Sequence, residues 1–130
     1  MTARELMTDY LDAARRGDWD TAFGYFAEDI VMRVPGRSRL AGDRCGKQAA
    51  MDYIQSVREH YREGGIELEL VDMLEGDQRV ALLVVERFHR DGRAVEIRRA
   101  NVYRVADDAI VEITIFEADQ YTVDELTGEI

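Results

Sequence analysis

The 130-residue sequence predicts an α+β fold in which helices pack on one face of a curved antiparallel sheet. Three observations predict it. Apolar residues recur at helical spacing through the first half of the chain, broken by one β-branched run, Ile30 to Val34. From Ile66 the period changes to two. The strands that follow are joined by short polar turns, of which Asp91-Gly92 is the strongest hairpin signal. The resulting order is two helices, a strand, a helix and then four consecutive strands.

Each element has a local cause. Thr2-Ala3-Arg4-Glu5 is a capping box that starts a helix over 3–16. Its apolar stripe is Leu6, Tyr10 and Ala13 beside Met7, Leu11 and Ala14, ending at Arg15-Arg16-Gly17. Asp18 is a candidate N-cap, and Trp19, Ala22, Phe23 and Phe26 then recur at i, i+3, i+4 and i+7, predicting a helix over 18–27. Ile30 to Val34 reads as a strand stopped by Pro35-Gly36, and Arg37 to Gly46 as an irregular charged loop. Ala50, Tyr53, Ile54, Val57 and Tyr61 share one face of a third helix over 47–63, with Gly64-Gly65 as its stop. Ile66 to Leu70 alternates cleanly, so one face is buried. The apolar run Val80 to Val85, inside Gln78 to Arg90, predicts a strand covered on both faces. Ala94 to Val105 and Ile110 to Glu117 follow, joined by Ala106-Asp107-Asp108. Thr122-Val123-Asp124-Glu125 is a second capping box and predicts a short closing helix.

Composition bounds the function. One proline and no Ser/Gly-rich stretch leave no linker, so residues 1–130 read as a single domain. With 17 basic and 27 acidic residues the net charge is −10, which disfavours nucleic acid as a partner. The longest apolar run is six residues, far below the ~20 that a membrane helix needs, so no membrane association is expected. The N-terminus carries Arg4, Glu5 and Asp9 without an apolar leader core, and the expected location is the cytoplasm. There is no HExxH or CxxC motif, and His60 and His89 sit on different elements, so no metal site is expected. Cys45 has no histidine near it in sequence and reads as an ordinary loop or core residue.

Three segments carry a family resemblance: GDWDTAFGYFAEDIVMRVPG from Gly17 to Gly36, the loop LAGDRCGKQA, and the tail ITIFEADQYTVDE. They resemble the NTF2-like superfamily, in the branch with ketosteroid isomerase, limonene epoxide hydrolase and the SnoaL-type polyketide cyclases. The resemblance runs from about Leu6 to Leu126. It implies a cone-shaped, cystatin-like α+β barrel, with three helices (3–16, 18–27 and 47–63) on the concave face of the sheet and a ligand cavity inside. A small, largely apolar ligand is expected in it, and because Val80 to Val85 leaves an apolar face outside the cone that also needs cover, a homodimer through the exposed sheet face is expected. The fold alone does not fix the chemistry.

Such a cone points to acid–base chemistry, in which burial moves the pKa of a carboxylate or tyrosine, with no cofactor called for. In the strand from Ala94, Ile97, Arg99, Asn101, Tyr103 and Val105 share a face, which puts Arg99 and Asn101 side by side. In the last strand Val111, Ile113, Ile115 and Glu117 do the same. By resemblance, Tyr10 falls where ketosteroid isomerases place an oxyanion-hole tyrosine, and Asn101 where they place the second donor. The isomerase base corresponds to Val34, which cannot move a proton. The Asp-Arg-Asp set of the epoxide hydrolases keeps its arginine as Arg99, with Asn101 in place of one acid and Glu117 or Asp119 near the other. The candidate catalytic set is therefore Tyr10, Arg99, Asn101, Glu117 and Asp119, with Glu117 or Asp119 transferring the proton. The candidate binding set is Trp19, Tyr25, Phe26, Val34, Tyr53, Tyr103 and Ile115. Each has a plainer reading: Tyr10 as a satisfied core tyrosine, Arg99–Glu117 as a structural salt bridge, Asp119 as a residue before a helix. A cofactor-independent enzyme, a ligand carrier and a protein-interaction module all remain open.

Overall fold

The computed structural model describes Met1–Ile130. Thr2 Oγ1 accepts from the Glu5 N–H at 3.1 Å and starts α1 (Ala3–Arg15). Gly17, at φ +75°, takes the left-handed turn that ends it. Asp18 then caps α2 (Trp19–Phe23), accepting from the Thr21 N–H at 3.2 Å. This helix is shorter than the 18–27 spacing predicts. The Ile110 N–H donates to the Tyr25 carbonyl at 2.7 Å, so sheet pairing claims the chain and β1 (Phe26–Val34) begins four residues before the expected Ile30. Phe26 keeps its apolar contacts by stacking with Tyr10 and Phe23, ring centroids 5.8 and 5.5 Å away.

The segment expected to be an irregular loop contains β2 (Gly42–Cys45), an edge strand antiparallel to β1. Then come α3 (Lys47–His60), β3 (Ile66–Glu75), β4 (Arg79–Arg90), β5 (Arg93–Ala106) and β6 (Ala109–Glu117). The β4–β5 turn, Asp91-Gly92, has φ of +52° and +76°, and the β5–β6 turn, Asp107-Asp108, has +53° and +58°. Two-residue loops of this hand match the twist of their strands, and aspartate tolerates the left-handed region. The closing helix α4 (Gln120–Gly128) is capped by Asp119 rather than Thr122. Thr122 instead supplies the N–H and the hydroxyl that Asp119 accepts, at 3.2 and 2.7 Å.

The sheet runs β2-β1-β6-β5-β4-β3. It differs from the expected antiparallel sheet in one pair, because β1 and β6 lie parallel. A parallel pair needs a long crossover, and here everything from β2 to β5 serves as one. Register shifts in β1, β3 and β6 bend the sheet without closing it into a barrel, so β2 and β3 remain edges. The concave face holds the main core, where Leu6, Met7 and Tyr10 of α1 and Ala50 and Tyr53 of α3 meet Ile30, Val80, Leu82 and Ile113. A smaller cluster, Tyr61, Phe88, Ile97, Val123 and Leu126, fixes α4 at one end. The convex face carries no helix: Val85 there is 2% exposed, but Val71 is 57% and Phe116 56% exposed. No helix is long and apolar enough to cross a membrane.

Candidate functional site

Strand alternation and register build the site. On β4, Val80, Leu82, Val84, Glu86 and Phe88 point into the concavity. Their β5 partners are Tyr103, Asn101, Arg99, Ile97 and Val95. On β6, Ile113, Ile115 and Glu117 stand opposite Tyr103, Asn101 and Arg99. Tyr10 and Leu11 of α1 and Tyr53, Ile54 and Val57 of α3 close over this face. Between helices and sheet lies a cavity of about 590 Å³. Nineteen of its 28 lining residues are hydrophobic, which suits a largely apolar ligand.

Deep in the cavity, charge is confined to one buried cluster. The Arg99 guanidinium donates to both oxygens of Glu117, at 2.9 and 2.6 Å, and its third nitrogen reaches Glu86 at 3.4 Å. The Arg99, Glu86 and Glu117 side chains are 10%, 13% and 2% exposed. One cation thus serves two buried acids. Burial opposes the charge on Arg99, but Glu86 and then Glu117 outweigh it and hold the guanidinium above its ordinary pKa. Burial pushes the Glu117 carboxyl up; Arg99 pulls against it, and the charge of Glu86 adds to the push. Nearby phenols stay protonated. Burial raises Tyr53, Tyr103 and, aided by Tyr103, Tyr10, so each remains a hydrogen-bond donor at neutral pH. Asn101 Oδ1 is buried and accepts no hydrogen bond, leaving an acceptor for a donor group on a ligand.

Of the residues expected from sequence, Tyr10, Arg99, Asn101, Trp19, Tyr53, Tyr103 and Ile115 line this cavity. Glu117 does not. It shares the concave face with Arg99, which takes up both of its carboxylate oxygens and leaves the side chain 2% exposed. Asp119 is a correction: it is exposed, caps α4, and is held below the ordinary carboxylate range by the Thr122 hydroxyl and N–H. Tyr25, Phe26 and Val34 also lie off the cavity wall. Phe26 is spent in the aromatic stack beneath Tyr10, while Tyr25 and Val34 pack against the edge of the main core. Sequence reasoning missed Glu86. The signal was present, since Val80, Leu82, Val84, Glu86 and Phe88 alternate, but the apolar run hides the period up to Val85. It also missed the C-terminal wall, where Leu126, Thr127 and Ile130 complete the cavity.

This geometry has counterparts among known proteins. A family model for the SnoaL-like domain matches residues 7–113. The chain belongs to the SnoaL-like domain family. The match runs from within α1 to the middle of β6, so it includes β1 to β5 of this SnoaL-like domain in full. Among solved structures, Bal32a from a soil-derived mobile gene cassette is 24% identical, with a TM-score of 0.86 over 94% of this chain and 93% of that one. A Xanthomonas campestris protein of unknown function with a cystatin-like fold is 22% identical, with a TM-score of 0.88 over 98% and 99%. TerC, co-crystallised with polyporic acid, is 16% identical, with a TM-score of 0.80 over 95% of each chain. These likenesses establish a cystatin-like, NTF2-like fold for the SnoaL-like domain. A comparison with curated proteins finds no match.

Proposed function

We propose that this SnoaL-like domain is an acid–base enzyme acting on a small, largely apolar substrate of polyketide or terpenoid type. The reaction classes that fit are cyclisation, isomerisation, dehydration and epoxide opening. The observation that carries the reading is a buried Glu86–Arg99–Glu117 cluster set into an otherwise apolar cavity. A structural ion pair needs one acid, and the second acid here faces the ligand space.

In this proposal Glu86, which lines the cavity, transfers the proton. Arg99 presents to a substrate oxygen the nitrogen that makes its longest contact, 3.4 Å to Glu86. Its two shorter bonds to Glu117 hold the guanidinium in place, so Glu117 acts through Arg99 rather than on the substrate. Tyr10 and the Asn101 amide donate to developing negative charge. Asp119 has no part. That a protein of the same fold has been co-crystallised with polyporic acid supports a ligand site in this fold.

The test is a panel of small epoxides, ketones and polyketide-like phenols, screened by thermal shift and then by mass spectrometry for conversion. Glu86→Gln should abolish turnover while ligand affinity stays within about tenfold, or ~1.4 kcal/mol. Ligands that bind and are never converted would favour a carrier, the reading suggested by how fully Glu117 occupies Arg99. We further propose a homodimer through the convex face, where Val71, Leu83, Ala100 and Phe116 form an apolar patch.

A further inference from the structure

The exposed residues that line the cavity are Arg15, Gly17 and Arg62, and they mark where it opens to solvent. This mouth lies between the C-terminal ends of α1 and α3. A third arginine, Arg58, lines it with its guanidinium 4.8 Å from the Trp19 ring centroid. The charged residues of the cavity wall are Arg15, Arg58, Arg62, Arg99 and Glu86. Arg99 and Glu86 answer each other at the inner cluster, so every remaining charged side chain on the wall is an arginine at the mouth. Arg62 meets only Glu59, at 3.3 Å with both side chains more than 60% exposed, a pairing that solvent weakens. Arg15 and Arg58 make no ion pair. In a chain of net charge −10, an opening lined by three arginines, of which only Arg62 has an ion-pair partner, runs against the molecule's overall charge.

We propose that this mouth selects an amphiphilic anion: an apolar body fills the cavity, and a carboxylate or sulfonate stops at the opening on Arg15, Arg58 and Arg62. The inference rests on the cavity being a ligand site, as in the proposed function, and adds the charge of the ligand and its direction of entry. Trp19, held under Arg58, supplies a flat surface for the part of the body nearest the anion.

Two fluorescent probes test it. 1-Anilinonaphthalene-8-sulfonate and N-phenyl-1-naphthylamine share one apolar body and differ in the sulfonate. Both are titrated into the wild type, with Trp19, the sole tryptophan, read in parallel. The cavity-narrowing variant Ile54→Phe should weaken both probes and ties the signal to the interior. The sulfonate probe should bind tighter than the neutral one, with the advantage shrinking as salt is raised. In the triple variant Arg15→Gln, Arg58→Gln, Arg62→Gln its affinity should fall at least about tenfold, while the neutral probe stays within about twofold. Equal losses for both probes would mean that the arginines only complete the helix C-termini, and would overturn the proposal. Tight binding of the neutral probe alone would overturn it while leaving the cavity a ligand site. Binding of neither would overturn both readings.

Discussion

Arg99 holds two acids apart, and its removal is the most damaging single change at the site. Arg99→Leu leaves Glu86 and Glu117 without a cation, and breaking a buried pair this way costs about 3–5 kcal/mol. Denaturant unfolding should show that loss. Adding Glu86→Leu and Glu117→Leu should restore much of it, because the buried charges leave together. Glu117 also makes stability depend on pH. Its folded pKa is raised above the ordinary 4.5, so the folded protein holds this proton more tightly than the unfolded chain. The resulting stabilisation is fully present below about pH 4.5 and is lost as the pH climbs through the raised value. Melting temperatures of wild type and Glu117→Gln should therefore diverge in favour of the variant as pH rises. A difference that stays flat between about pH 4 and pH 8 would contradict the shift.

At the scale of elements, two junctions position the site. Gly64 lies against the carbonyl of His89, where α3 hands over to β3 beside the end of β4. A Cβ there would collide with that backbone. Gly64→Ala should destabilise the fold by at least about 2 kcal/mol, measured by chemical denaturation, and widen the mouth beside Gly65. The second junction is the cap of α4. Asp119→Ala should lower the melting temperature, since Asp119 accepts from the Thr122 N–H, yet leave ligand affinity unchanged because it lies off the cavity. An affinity loss at Asp119 comparable to that at Arg99 would return it to the catalytic set.

For the whole molecule, the sheet divides two tasks between its faces. The concave face is filled by helices around a cavity, while the convex face leaves Phe116 and Val71 more than half exposed. Arg33–Glu112 and Arg87–Glu96 ion pairs, at 3.1 and 3.0 Å, rim that face, giving an apolar centre inside a polar border. Sedimentation of the wild type at micromolar concentration should return a dimer, and Phe116→Glu should return a folded monomer. A wild-type monomer would contradict the proposed interface.

Helical spacing, period-two alternation and tight aspartate turns determined the helices, the β3-to-β6 meander and the placement of Arg99, Asn101 and Tyr103 on one face. Those features are local, and backbone geometry links them directly to residue order. The parallel β1–β6 pair, the edge strand β2 and the early start of β1 were decided by pairing between distant segments, for which no local pattern exists. The same holds for the site. Sequence put Arg99 beside Glu117, but register alone brought Glu86 to the guanidinium, 13 residues away in the chain. Tertiary closure then left Glu117 engaged by Arg99 and off the cavity lining, and gathered Arg15, Arg58 and Arg62 at one opening, because a cavity exists only where separate elements meet.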